Sequence, residues 1–273
     1  MTSDSSYVIR SGVDARARLE LLSRLCAPTT RDFLERTGAT QAQRFLDIGC
    51  GIGAVAMTLA AAGARESWGI DVNAEVVACA TTRCEQMGGS ANFAVAGFDE
   101  LGTGRWRDFD VVYSRCVLSH LPDPLPALQS MLRAVRPGGL VLVEDVEIAA
   151  VWASPPEPAL DRHVALYLSA AHGLGARPDV GPLLAPTLRA AGADSVTASL
   201  AQPLLCNPLD LEIHARTMEA IAGPVIAQGL ATALEVEDLV NRLEAWARQP
   251  HVVATLDRKS TRLNSSHVAL SRM

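Results

Sequence analysis

The stretch Phe45-Leu46-Asp47-Ile48-Gly49-Cys50-Gly51-Ile52-Gly53 constrains this chain more than any other. Apolar residues run into an acid, and glycine then stands at every second position. Such a run reads as a buried strand ending in a tight turn, with the next helix starting at the last glycine. Glycine leaves no side chain between backbone and ligand, and a helix N-terminus offers free N–H groups. The turn is suited to an adenine-containing ligand, and the rest of the sequence must say which one.

Strands and helices alternate on both sides of that turn. Before it, Asp14 to Cys26 places Leu19, Leu22 and Cys26 on one helical face, and Pro28-Thr29-Thr30 breaks the chain before a second short helix through Arg36. After it, Ala54 to Ala62 is an Ala-rich helix, and Ser67-Trp68-Gly69-Ile70-Asp71 a second strand. A helix over 74–87, a strand over 92–96, a strand over 109–113, a helix over 125–135 and a strand over 140–144 follow. This spacing predicts βαβ units: an α/β fold with a doubly wound parallel sheet and right-handed connections. Beyond Glu147 the rhythm changes. Ser154-Pro155-Pro156-Glu157-Pro158 is a rigid break before a helix over 159–172, while 182–191 and 195–200 return to the helix-strand pattern. The helical stretches within 151–178 and 206–249 have no place in the sheet and are assigned to a cap.

The division that follows is residues 1–40 as N-terminal helices over the ligand site and 41–205 as the core, with the inserted cap helix in 151–178. Residues 206–257 are a helical cap and the start of a last strand near Val252. The end of the chain differs in kind. Lys259 is the only lysine, and from Arg258 onward the text becomes Ser-rich and polar. Residues 258–273 resemble a translated read-through of sequencing-adapter DNA and are set aside from fold reasoning. Without their four basic side chains the net charge moves from −6 to −10. A seventh strand would then be cut short, leaving the sixth with an unpaired edge.

Charge and cysteines exclude some functions. An acidic chain is a poor partner for nucleic acid, which calls for a basic face. No run of eighteen uncharged apolar residues is present for a membrane span, and Met1 to Ser6 lack the order of a signal peptide, so a cytoplasmic protein is expected. The six cysteines are scattered without Cys-x-x-Cys spacing or histidines at metal-binding distance, which reads as reduced structural thiols and no metal site.

Two ligands compete for the glycine turn. Gly49-x-Gly51-x-x-Ala54 satisfies a permissive dinucleotide fingerprint, which alone is weak. Asp47, two residues before the first glycine, would repel a pyrophosphate but suits a ligand with an ammonium or sulfonium group. Asp71, twenty residues past Gly51, can take both ribose hydroxyls of either ligand. Asp47 to Gly53, Gly69-Ile70-Asp71, Phe109 to Tyr113 and Leu132 to Gly139 together resemble the class I S-adenosylmethionine-dependent methyltransferases. Within these the chain is similar to the bacterial small-molecule group that includes the ubiquinone and menaquinone methyltransferases. The resemblance covers about residues 40 to 147.

What it implies is a Rossmann-like sheet of order 3-2-1-4-5-7-6 whose last strand is antiparallel, with S-adenosylmethionine across the carboxyl ends of the first four strands. By position, Asp47, Gly49, Cys50 and Gly51 would line the methionine part, Asp71 would hold the ribose, and Val72 would pack on the adenine. Ser114 and Arg115 fall where the family contacts the amino-acid moiety. Tyr7 and Arg18 resemble a Tyr…Arg-Leu pattern that closes over the cofactor, Arg18 pairing its carboxylate. The adenine loop departs from the family: Ala96-Gly97-Phe98-Asp99 replaces the usual Gly-Asp-Ala. Alignment on Leu101 puts Gly97 at the acidic position, alignment on Gly97 puts Phe98 there, and a shifted loop puts Asp99 there.

The expected reaction is in-line methyl transfer to oxygen, carbon or nitrogen of a small organic acceptor, with neither nucleic acid nor membrane as partner and the oligomeric state open. Holding the acceptor at near-attack distance in a dry pocket supplies much of such a rate. A base is needed only where the acceptor must lose a proton, and His120 in Leu118-Ser119-His120-Leu121-Pro122 is the candidate. Glu144 and Asp145 end the fifth strand and serve either the pocket or the structure. His163, His172 and His214 fall on cap helices, where packing or surface placement is the ordinary use of histidine. The rival readings are an NAD-dependent Rossmann oxidoreductase and a relative that binds the cofactor without turnover.

Overall fold

The computed structural model describes residues 13–256 and 260–265. A seven-stranded sheet forms its centre. Five parallel strands run β3 (Asn92–Val95), β2 (Glu66–Asp71), β1 (Arg44–Ile48), β4 (Phe109–Arg115) and β5 (Val135–Glu144). The sheet then continues through β10 (Ser260–Ser265) to β7 (Val196–Ala201), both pairings antiparallel. Numbered by their place in the sheet, the strands therefore stand in the order 3-2-1-4-5-7-6.

Strand alternation divides the core into two layers. Phe45, Val111, Tyr113 and Leu142 face Phe33 and Leu34 of α1 (Val13–Arg36) and Val55 and Leu59 of α2 (Ala54–Ala61). Leu46, Ile48, Val112 and Val143 face the other way, onto α4 (Leu125–Ala134) and α6 (Leu184–Ala191). A separate apolar cluster joins Leu21 and Leu25 of α1 to α5 (Pro158–Gly173), α7 (Pro208–Ala227) and α8 (Ala233–Ala247). That second core is the cap, and α1 belongs to both.

Four expectations need correcting. The N-terminal region is one helix with Pro28 inside it, not two helices split there. Proline removes one backbone hydrogen bond, but the N-terminal half is anchored in the cap core and the C-terminal half on the sheet, which together override the local break. Val253–Thr255 does not begin the seventh strand. As β9 it pairs with β6 (Ala153–Ser154) and β8 (Leu204–Leu205) in a small antiparallel sheet that ties the cap segments together. The main sheet is not cut short either, since Ser260–Ser265 fills the place between β5 and β7. Backbone donors and acceptors on both neighbours take any extended segment, so a stretch set aside for its composition still completes the ladder. The strand expected over 140–144, finally, starts at Val135 and runs through Pro137-Gly138-Gly139, with a register shift between Phe109 and Val111 on its neighbour.

Candidate functional site

β1 carries Asp47 to the carboxyl edge of the sheet, on the face covered by α1 and α2. The residue is buried, and that burial pushes its carboxyl up from 3.8 to about 7. The Arg115 charge and a backbone hydrogen bond from Ala56 pull in the opposite direction without cancelling it. A carboxylate held so dry gains most from a cationic ligand.

The glycines that follow have different tasks. At Gly49 (φ 66°) a Cβ would collide with Val117 in the loop after β4. At Gly51 (φ 53°) a Cβ would meet nothing within 4 Å, so the turn is open on that side. The Cys50 N–H donates to the Ile70 carbonyl at 3.0 Å, fixing the turn against β2, and burial with Asp47 and Asp71 nearby keeps the Cys50 thiol protonated. Asp71 ends β2. Its carboxyl is raised by burial, while the backbone N–H groups of Asn73 (3.0 Å), Gly51 and Val72 oppose that rise. Asn73 then caps α3 (Ala74–Gln86) through Glu75 N at 2.9 Å.

Past Asp71, Val72 is 68% exposed, an apolar side chain standing free at the rim. A Cβ on Gly97 would lie 2.8 Å from Asp99 Oδ1 and 3.4 Å from Val72 Cγ1, which places Asp99 beside Val72. Phe98 packs instead against the core cluster under α4. Of the two adenine-loop candidates, Asp99 faces the rim and Phe98 supports it from below.

The end of β4 is tied to α1. Glu144 Oε2 accepts from the Tyr113 hydroxyl at 2.6 Å and from Thr30 Oγ1 at 2.7 Å, and Arg115 Nη1 donates to Thr30 Oγ1 at 3.2 Å. Arg115 is thus held under α1, close enough to Asp47 for its charge to be felt there. Ser114 pairs with Ile48 on β1, and its buried Oγ has no hydrogen-bond partner. By alternation that side chain lies on the opposite face from Asp47 and Arg115, so only its backbone stands beside the glycine turn. Glu144 and Asp145 are structural. Asp145 Oδ2 accepts from Leu118 N at 2.8 Å and Ser119 N at 3.2 Å, holding the short helical turn Leu118–His120. His120 is half-buried there, and burial together with the Arg18 charge pushes it down to about 4. It is neutral at pH 7, and the same burial makes it a weak base.

Arg18 hydrogen-bonds to the cap. It is buried on α1, and its Nε donates to Thr217 Oγ1 of α7 at 3.0 Å. Tyr7 lies outside the described residues. On the cap side the His163 and His214 rings stand 6.0 Å apart, the former 6.4 Å from Tyr167 and the latter 6.0 Å from Trp246. His172 is at the surface, 3.6 Å from Asp179. Sequence reading gave no site role to Thr30, Tyr113 or Thr217 and did not pair His163 with His214. Helical spacing places each of the helical ones on a buried face, but nothing local says that residues almost two hundred positions apart meet. Among the described residues no His, Cys, Asp or Glu cluster could hold a metal, and no helix is long and apolar enough to cross a membrane.

A buried acid at Asp47, a second acid at Asp71 and an exposed apolar Val72 are compatible with a ligand carrying a cation, vicinal hydroxyls and a flat apolar part. S-adenosylmethionine has all three, so the residues present fit it. A family model described as a methyltransferase domain matches residues 46–143. The ubiquinone biosynthesis O-methyltransferase of Aromatoleum aromaticum is 31% identical over 119 residues, 44% of this chain and 50% of that protein. Phosphoethanolamine N-methyltransferase 1 of Arabidopsis thaliana is 32% identical over 119 residues, 43% of this chain and 24% of that one. The chain thus spans half or less of these curated relatives. Among solved structures, the YcgJ protein from Bacillus subtilis superimposes with a TM-score of 0.55 at 17% identity, covering 86% of this chain and 97% of that one, a likeness of fold.

Proposed function

We propose that this protein, whose residues 46–143 match a methyltransferase-domain model, is a class I S-adenosylmethionine-dependent enzyme that methylates a small organic acceptor enclosed between the sheet edge and the helical cap. The observation that carries the reading is the buried Asp47 beside the open Gly51 turn, a dry carboxylate next to a bare backbone. When bound, S-adenosylmethionine supplies a methyl group on a sulfonium, an activated carbon with a neutral leaving group.

Asp47 would hold the cationic part of the cofactor, with Gly49, Cys50 and Gly51 forming the cradle. Asp71 would take the ribose hydroxyls, and Val72 and Asp99 the adenine, with Phe98 behind them. Arg115 would sit over the amino-acid moiety and reinforce the charge pattern set by Asp47, while Ser114 would contribute backbone only. α1 and the cap would exclude water, which strengthens each of these interactions. His120 would accept the proton of an acceptor hydroxyl or amine as the methyl arrives; it is neutral at pH 7, and the burial and Arg18 charge that hold it near 4 make it a weak base until a ligand changes its surroundings. Relatives named for oxygen and for nitrogen methylation both suit such a base.

A labelled-methyl transfer assay against a metabolite extract tests activity and acceptor together, with a labelled small product expected. Calorimetry with S-adenosylhomocysteine and with NADH tests the cofactor. Binding of the first alone is expected, and binding of NADH alone would replace this reading with a dehydrogenase.

A further inference from the structure

Three residues of the cap have no task in that scheme. Arg18 is buried to 7% exposure, and among the described residues no carboxylate pairs with it; its Nε hydrogen bond goes to the neutral Thr217 hydroxyl. His163 and His214 are each 4% exposed, and His163 Nδ1 and His214 Nε2 are buried without hydrogen-bond partners. The three residues come from three elements, α1, α5 and α7, and meet: the rings are 6.0 Å apart, and the Arg18 charge acts on His163 as well as on His120. A buried cation without a counter-charge is costly, and so is each buried ring nitrogen left unbonded. Polar groups gathered this way are satisfied by water or by a ligand that enters.

We propose that Arg18, Thr217, His163 and His214 form an oxyanion-binding subsite that anchors the methyl acceptor by a carboxylate or phosphate group. This rests on the methyltransferase reading for the word acceptor only; the subsite itself follows from the cap. Arg18 supplies the charge in a planar fork that matches either anion, and Thr217 fixes the fork through Nε. Each neutral imidazole carries one N–H to donate. Burial, the neighbouring His214 and then the Arg18 charge hold His163 down at about 3, and burial holds His214 at about 4, so the Arg18 guanidinium is the one fixed positive charge of the group. Because the same Arg18 also stands near His120, an acceptor anchored by its anionic end reaches from the cap to the proton-accepting residue beside the cofactor. Arg18 is thereby reassigned from the carboxylate of S-adenosylmethionine to the acceptor. The two ligands are then held by separate groups: Asp47 and Asp71 serve one, and the cap serves the other.

The test uses the full chain with carbon-13-labelled histidine, titrated with inorganic phosphate, with benzoate and with neutral benzyl alcohol, each with and without S-adenosylhomocysteine. The expected result is saturable movement of the His163 and His214 ring resonances with phosphate or benzoate and none with benzyl alcohol. Which anion binds more tightly tells a phosphorylated acceptor from a carboxylic one. In Arg18→Met the anion affinity should fall by at least about tenfold while the affinity for S-adenosylhomocysteine stays within about twofold. Thr217→Val, which keeps the charge and removes only the hydroxyl that orients it, should weaken anion binding severalfold and serves if Arg18→Met does not fold. Absence of anion-induced shifts in the parent protein overturns the proposal, as does anion binding that survives in both variants. A selective loss of S-adenosylhomocysteine binding in Arg18→Met would return that residue to the cofactor. Failure of the parent protein to bind S-adenosylhomocysteine would sink the methyltransferase reading instead, and the anion titration without that ligand would still decide the subsite.

Discussion

Replacing Asp47 by asparagine should stabilise the free protein and weaken its cofactor binding. The side chain is buried, and its carboxyl lies near 7 in the folded protein against 3.8 for the free group. An acid whose folded value is raised costs stability above its unfolded value: the cost is absent below pH 4, grows as pH rises through the interval, and is complete above pH 7. The distance from 3.8 to about 7 corresponds to an upper bound of about 4 kcal/mol. The asparagine amide carries no charge to desolvate, so Asp47→Asn should gain ~2–4 kcal/mol at pH 8 and little or nothing at pH 4. Ligand binding should move the other way. A cation placed against Asp47 favours the ionised form, so binding at pH 6 should release about one proton, and binding at pH 8 almost none. Affinity for S-adenosylmethionine should therefore rise with pH up to about 7 and level off above it. Denaturant unfolding at the two pH values measures the first effect, and calorimetry in buffers of different ionisation enthalpy measures the second. An asparagine variant no more stable than the parent at pH 8 would refute the role of burial at this position. One whose cofactor affinity and proton release match the parent's would refute the role of the charge.

The remaining predictions concern the supports of the site. Thr30→Val and Tyr113→Phe each remove one donor from Glu144 Oε2 and should cost ~1.5–3 kcal/mol; because they share one acceptor oxygen, the double variant should depart from additivity by ~0.5 kcal/mol or more in a double-mutant cycle. Asp145→Ala strips the acceptor from two buried N–H groups and should lower stability by ~2 kcal/mol or more. It should also depress kcat more than KM, since the turn bearing His120 loses its anchor; equal effects on both would speak against that placement. Leu263→Pro removes a backbone donor from the strand paired with Val143 and Ala198, with an expected loss of ~3 kcal/mol. An unchanged melting temperature would show that β10 contributes little to the sheet. Comparison with a variant in which 258–273 is replaced by another extended strand would then tell backbone pairing from side-chain packing.

What the sequence determined by itself is local. The glycine turn at Gly49–Gly53, the acids at the ends of β1 and β2, and the alternation of strand and helix to Glu144 were legible because each depends on neighbours within a few positions. A buried strand must be apolar, a tight turn needs glycine at positive φ, and a parallel crossover needs a helix. Tertiary structure decided the rest. It carried α1 unbroken through Pro28 because both halves had cores to join. It moved Val253–Thr255 into the small cap sheet and gave the place beside β5 to Ser260–Ser265, a choice made by open backbone groups rather than by composition. It turned Ser114 away from Asp47 by the two-residue period of β4, and chose Asp99 over Phe98 at the rim. It also brought Arg18 to Thr217, 199 positions away, and His163 to His214. Such contacts leave no pattern in any window of sequence, because the free energy that selects them comes from burial shared among distant helices. The cap-side group of Arg18, Thr217, His163 and His214 is built wholly of contacts of that kind.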